Sequence, residues 1–419
     1  MEHPTDWESS FPLYYDTRIE GPDELGILRP LYDTLGHLEQ VPTGKDPRIR
    51  AFAEAARHLM LDESRLRMSL GFMYDFRKER GRPTPPLYAA NLLMRVAQHH
   101  LRGQDNYAEL SASPEGWTAG MMDILKDGRR LESFDTFLAL HEVQTNVPAR
   151  YMGPKLIMSL YRDRLEKLGR PIRLLDIGTS IGTGVKALMT NSIDHEVRVH
   201  IPAAGEAPGS AKLVGNPNVD RYINGLLAEP LEFGPSAAID AMGVTDDADR
   251  EWIKSCFYPS EVVENKGMIL SEFEKLSNLN VPELQMVTPL DFSDADSVNE
   301  FMARMEQQGI EEFDVATIVT TLNQSTDLEA AQIIENAKKV ARIVIIQDFC
   351  RVDPRTKSGF YFFPTWHPYT YRTAVIDQGL GPEKNEAARP EELLWWSSGR
   401  PTDVIIAPSA SFFTSNVAL

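Results

Sequence analysis

Strand-like sequence begins late in this chain, and it begins with a turn. Upstream of residue 170 no segment carries the short apolar runs of a buried strand, whereas from Pro171 such runs recur. The first, Ile172-Arg-Leu-Leu-Asp-Ile177, passes directly into Gly178-Thr-Ser180-Ile-Gly182-Thr-Gly184 and a helical stretch from Gly182 to Met189. Strand, glycine-rich turn and helix in that order form the opening unit of a parallel sheet. The sheet must therefore be built downstream, and whatever precedes it must fold as helix.

The upstream part carries helix punctuation. Asp46-Pro47 is an N-cap with proline at the first helical position, ahead of an apolar stripe over Arg48–Leu61. Asp62 can cap a second helix through Arg80, closed by Gly81, and Pro86 can open a third that Gly103 stops. Further helical runs start at Ser133 and at Pro154, the last ending at Gly169. Downstream, strand-like runs follow at Ala237–Asp240, Leu284–Thr288, Phe313–Thr320 and Ala341–Gln347, separated by helical segments. Thr326 with Glu329 is a capping-box pattern opening the helix over Asp327–Val340. Two last β-like runs, Tyr371–Ile376 and Asp403–Ala407, have little helix between them. The expectation is an α/β fold with a doubly wound, Rossmann-like sheet over residues 151–419, behind an all-helical cap domain over 1–150. Residues 191–235, rich in Gly, Pro and Asn, interrupt the rhythm as an insertion or lid.

Charge narrows the partners. With 43 Lys+Arg against 61 Asp+Glu the chain carries a formal charge of −18, unsuited to gripping many phosphates, so no nucleic-acid partner is expected. Two cysteines, Cys256 and Cys350, supply neither a disulfide framework nor a thiolate zinc site. Met1–Ser10 lacks the apolar core of a signal peptide, and no run approaches the roughly 20 apolar residues of a membrane span. A cytoplasmic protein without a membrane partner is expected; a homo-oligomer is compatible with the sequence.

The chemistry sits in Asp176-Ile-Gly178-Thr-Ser180-Ile-Gly182-Thr-Gly184. Glycines there permit a tight turn and close backbone approach by a ligand, and an acid at the strand's end can bond a cationic or hydroxylated group. Four readings compete. One is a nucleotide loop. A second is the Gly-x-Ser-x-Gly nucleophile elbow of a serine hydrolase, with Ser180, Asp348 and His367 in chain order. A third is a dinucleotide oxidoreductase with Tyr151 and Lys155 as a Tyr-x-x-x-Lys pair, although Ser180 and Thr183 break the Gly-x-Gly-x-x-Gly fingerprint. The fourth is a turn in a fold that binds nothing and acts as a scaffold.

The acid-x-Gly-x-Gly-x-Gly pattern, with Ser180 in place of the middle glycine, resembles that of class I S-adenosylmethionine (SAM) methyltransferases over about residues 140–410. It is most similar to a bacterial family of that fold with no assigned reaction, through Val143-Gln144-Thr145-Asn146 with Arg150, then Leu174 to Gly182, then Ile239-Asp240 ahead of Trp252, Cys256 and Pro259. The resemblance implies SAM as cofactor and methyl transfer, or another SAM-using transfer, to a small-molecule acceptor. It implies cofactor contacts from Gln144, Asn146, Arg150, Asp176, Gly178, Ser180 and Gly182, ribose binding by Asp240, and base contacts from Asp291 and Phe292. It also implies a fourth-strand position at Thr320 or Thr321, and it matches the two terminal runs to the antiparallel sixth and seventh strands.

Other residues carry a blander reading beside the functional one. His99, His100 and His141 lie on helices as packing or terminal residues, and no metal site is expected. The aromatic run Phe360–Tyr369 and the pair Trp395-Trp396 are either packing or a substrate-pocket wall, with His367 or Tyr369 available for proton transfer.

Overall fold

The structure is a computed structural model that describes residues 21–40, 46–82, 84–143, 148–193, 196–200, 217–241, 247–264, 268–349, 371–381, 383–396 and 403–406. It divides into two compact units, one of residues 1–145 with 246–272 and one of residues 146–245 with 273–419.

The first unit is helical among its described residues. Asp46 caps the helix Pro47–Asp62 by accepting from the Arg48 N–H, and its carboxylate also accepts from the Ser260 N–H (2.8 Å) and hydroxyl (2.6 Å). Helices Ser64–Glu79 and Pro86–Leu101 follow, and Gly81 takes the left-handed conformation that ends the former. Phe52, Leu59, Leu70, Leu93 and Trp117 share its buried core. The same core holds Trp252, from the helix Asp247–Ser255, and Cys256, which follows it. This corrects the sequence expectation, which leaves 246–272 inside the α/β region. The apolar face of that helix is covered by helical-unit residues, and the Trp252 indole N–H donates to the Glu142 carbonyl at 3.0 Å.

The second unit is α/β. Its strands are β1 Leu174–Ile177, β2 Arg198–His200, β3 Ser236–Ile239, β4 Leu284–Val287, β5 Phe313–Val319, β6 Ala341–Phe349, β7 Tyr371–Asp377, β8 Glu391–Trp396 and β9 Asp403–Ile406. Among the described residues they form one sheet in the order β2-β9-β8-β7-β6-β5-β1-β3-β4. Pairs from β4 through β6 are parallel and those from β6 through β9 antiparallel, with β2 parallel to β9. A largely parallel sheet with interleaved helices is compatible with a Rossmann-like fold. Buried apolar residues cover both faces of β1 and β5, which explains their mostly apolar runs.

Two sequence expectations change here. Tyr371–Ile376 and Asp403–Ala407 are not neighbouring strands: β7 lies on β6, and β8, unread in the sequence beyond its two tryptophans, separates it from β9. The described part of 191–235 is no lid, since β2 continues the sheet and the helix Pro217–Ala228 buries Val219, Ile223 and Leu227 in the core. A three-residue strand pairing with residues some two hundred positions away leaves no periodic trace in the sequence.

After β1 and the edge strand β2, the chain builds β3 and β4 on one side of β1, then β5 and β6 on the other. The carboxyl ends of β1 and β5 therefore flank a topological switch point, where open α/β sheets place their ligands.

Candidate functional site

The turn after β1 winds through alternating left-handed residues: Gly178 (φ 77°), Ser180 (φ 54°) and Gly182 (φ 76°). It is tied to the neighbouring strand. Gly178 and Thr179 donate their N–H groups to the Ile239 carbonyl (2.8 and 3.0 Å), and the Ser180 N–H donates to Asp240 Oδ2 at 2.7 Å. Asp240 directly follows β3, with its carboxylate against the turn. The Asp240 carbonyl accepts from the Leu290 N–H (2.8 Å), which brings the residues after β4 alongside.

The glycines have a second reason to be glycine. A Cβ at Gly178 would overlap the Thr321 side chain, one at Gly184 would overlap the Tyr151 ring, and one at Gly182 would lie 3.0 Å from Met286 Sδ. These neighbours already occupy the space beside each Cα. At Gly178 and Gly182 the positive φ adds its own demand.

On the β5 side, Thr320 is left-handed (φ 55°) and its N–H donates to the Gln347 carbonyl at 2.8 Å. Its hydroxyl donates to Val319 and accepts from Arg150 Nη1 at 3.4 Å. Arg150 belongs to the short turn Pro148–Tyr151 and stands half-buried at the switch point. Thr321 donates its hydroxyl to the Ile177 carbonyl (3.0 Å), closing β5 onto β1.

Asp176 is corrected. Its carboxylate is wholly buried and accepts from the Tyr151 hydroxyl (2.8 Å) and the Thr317 hydroxyl (2.6 Å), so it faces the protein interior instead of a ligand. Burial raises its pKa to about 6 against the pull of those hydroxyls, and burial beside Asp176 lifts Tyr151 well above the usual phenol range. Phe292 is corrected too. It is 4% exposed in a core with Val298, Phe301 and Ile333, so its ring is unavailable for stacking on a base. Asp291 stays at the surface, where its carboxylate accepts from the Ser293 N–H and hydroxyl in a local turn. Gln144 and Asn146 lie outside the described residues, as do His367 and the aromatic run Phe360–Tyr369.

The structure therefore brings together Arg150, Gly178, Ser180, Gly182, Asp240 and Thr320, and withdraws Asp176 and Phe292. The retained groups suit a ligand with a carboxylate at one end and hydroxyls at the other. A guanidinium stands at the β5 end, and a carboxylate stands at the β3 end of the same turn. An amino-acid–nucleoside such as SAM has that polarity. Sequence reasoning missed Thr317 and Gln347, whose roles depend on pairing across strands, and it read Tyr151 only as half of a Tyr-x-x-x-Lys pair. That pair does not converge: Tyr151 reaches Asp176 while Lys155 Nζ contacts the Ile193 carbonyl.

Elsewhere, Trp396 is fully buried with its indole N–H on Thr373 Oγ1 (2.8 Å), and the Arg372 guanidinium lies 4.2 Å from the Trp395 ring, so this pair is packing. In the helical unit His99 and His141 sit 4.3 and 4.0 Å from the Phe137 ring, near Trp252. Among the described residues no group of three or more His, Cys, Asp or Glu side chains could hold a metal ion, and no helix is long and apolar enough to cross a membrane. Compared with known proteins, the chain matches no family model, and no curated protein is similar to it.

Proposed function

We propose that the α/β unit binds S-adenosyl-L-methionine and is a class I methyltransferase, or another SAM-using transferase, acting on a small-molecule acceptor. One observation carries this reading: a left-handed turn at the switch point, with Asp240 hydrogen-bonded to it on one side and Arg150 beside Thr320 on the other. SAM supplies its own activated methyl group when bound. The chain has only to hold donor and acceptor in line and keep water out, which requires no triad of side chains. Arg150 would donate to the ligand carboxylate, and Asp240 would accept from the ribose hydroxyls. The −18 charge supports a small acceptor over nucleic acid.

Titration calorimetry with SAM and S-adenosylhomocysteine tests the reading. Asp240→Asn is the sharper variant, because its side-chain oxygen still accepts from Ser180 N–H while the charge is lost; about tenfold weaker binding is expected. No heat with either ligand on the wild-type chain overturns the assignment. Gly178→Val is a poor probe, since it collides with Thr321 whether or not a ligand binds.

The hydrolase reading keeps one favourable observation, the left-handed Ser180 that a nucleophile elbow requires. Against it, β1 is the first described strand of the chain, and Asp348 accepts from the Leu322 N–H at 2.7 Å. A fluorophosphonate probe that labels Ser180 would establish it.

A further inference from the structure

The short turn Pro148–Tyr151 is bound on two flanks. On one, the Tyr151 hydroxyl donates to Asp176 of β1 at 2.8 Å, and its ring lies so close to Gly184 that any Cβ there would overlap it. On the other, Gln347 Nε2 of β6 donates to the Arg150 carbonyl at 2.5 Å. Gln347 is itself held, because its Oε1 accepts from Thr373 (2.9 Å), whose hydroxyl accepts from the fully buried Trp396 indole (2.8 Å). Gly153 approaches the Gln347 amide so closely that a side chain there would overlap it. Between these two anchors runs β5, and at its end the Arg150 guanidinium meets Thr320.

A long, rotamer-rich side chain loses conformational freedom when it grips a ligand, and a backbone fixed beforehand removes part of that cost. We infer that Tyr151 and Gln347 are positioning residues that preset Arg150 at the switch point to receive a ligand carboxylate. The inference rests on the SAM-binding reading above and deepens it: Asp176 serves the ligand only through Tyr151, and the carboxylate end of the ligand is recognised by a guanidinium placed in advance.

Two ligands separate this from a general structural role. S-adenosylhomocysteine carries the carboxylate; 5′-methylthioadenosine presents the same nucleoside thioether without it. Binding of both is measured by calorimetry for the full-length wild-type chain and for Arg150→Ala, Tyr151→Phe, Gln347→Met and Asp176→Asn. Arg150→Ala, Tyr151→Phe and Gln347→Met are each expected to weaken S-adenosylhomocysteine about tenfold and to leave methylthioadenosine within about twofold. Asp176→Asn, which still accepts from the Tyr151 hydroxyl, retains most of the discrimination. Equal losses on both ligands would make Tyr151 and Gln347 merely structural. Unchanged S-adenosylhomocysteine binding in those two, with loss in Arg150→Ala, would show that Arg150 needs no presetting. If Tyr151→Phe fails to fold, Gln347→Met carries the same comparison. A wild-type chain that binds neither ligand overturns the SAM reading and this inference with it, an outcome distinct from either failure of the variants.

Discussion

Two buried carboxylates, one in each unit, are accommodated in opposite ways. Glu142 of the helical unit accepts from Arg77 through both oxygens (2.8 Å each), from Arg82 (2.6 Å) and from the Tyr88 hydroxyl. Asp176 of the α/β unit accepts from neutral hydroxyls, those of Tyr151 and Thr317. Charge compensation makes the first a structural ion cluster. Burial, with no cationic partner among those hydroxyls, leaves the second with a pKa of about 6, beside the turn proposed to bind a ligand. Glu142 is held by guanidinium groups and Asp176 by neutral hydroxyls, and the two should respond differently to mutation.

The largest effect should come from Glu142→Ala. Arg77 is 2% exposed and would lose its only carboxylate among the described residues, a change worth about 3–5 kcal/mol. Urea denaturation followed by Trp fluorescence should show the loss. Asp176→Asn, by contrast, keeps an acceptor for Tyr151 and should cost about 1 kcal/mol. Equal losses in the two variants would abolish the distinction drawn here.

The pH response sharpens it. Asp176 has a folded pKa raised to about 6, so the folded state binds the extra proton between about pH 4 and 6; its contribution is fully present at the acid end and is lost as pH rises, by up to about 3 kcal/mol. His99 and His100 are lowered to about 4 by burial foremost, so the unfolded chain binds the extra protons there; their contribution is lost as pH falls from about 6.5 to 4. Over this window the helical unit should gain protection with rising pH while the α/β unit loses it. Amide hydrogen exchange, corrected for intrinsic rates, resolves the two, and slopes of the same sign would contradict the assignment.

Next in size is the packing of the turn. Gly178→Ala places a methyl group on Thr321 at a left-handed position and should cost about 2–3 kcal/mol. Combining it with Thr321→Ala should recover part of that loss, a coupling read from a double-mutant cycle in thermal melts. Strict additivity would mean that the two side chains do not compete for the same space. The smallest effect belongs to Thr326→Ala, which removes one arm of the capping box with Glu329 (2.7 and 3.2 Å) and should cost about 1 kcal/mol.

The sequence by itself determined what short-range chemistry controls. Asp46 before Pro47, Thr326 three residues before Glu329, and a strand running into glycines at Gly178 and Gly182 are each satisfied within one helical turn or one chain reversal. Their consequences can therefore be read locally. Asp240 was singled out through the resemblance, at the end of a strand-like run, and that run is a parallel neighbour of β1. Tertiary structure alone decided the rest. Asp176 meets a tyrosine 25 residues earlier and a threonine 141 residues later, so the same carboxylate read as a ligand contact becomes an internal anchor. Phe292 follows the exposed Asp291 beyond β4, yet packing with Phe301 and Ile333 buries it. Residues 246–272 sit in sequence between α/β elements but bury Trp252 and Cys256 with the helical core. A carboxylate, a ring or an apolar stripe specifies only that it must find a partner; which partner it finds depends on chain segments brought together across the whole fold.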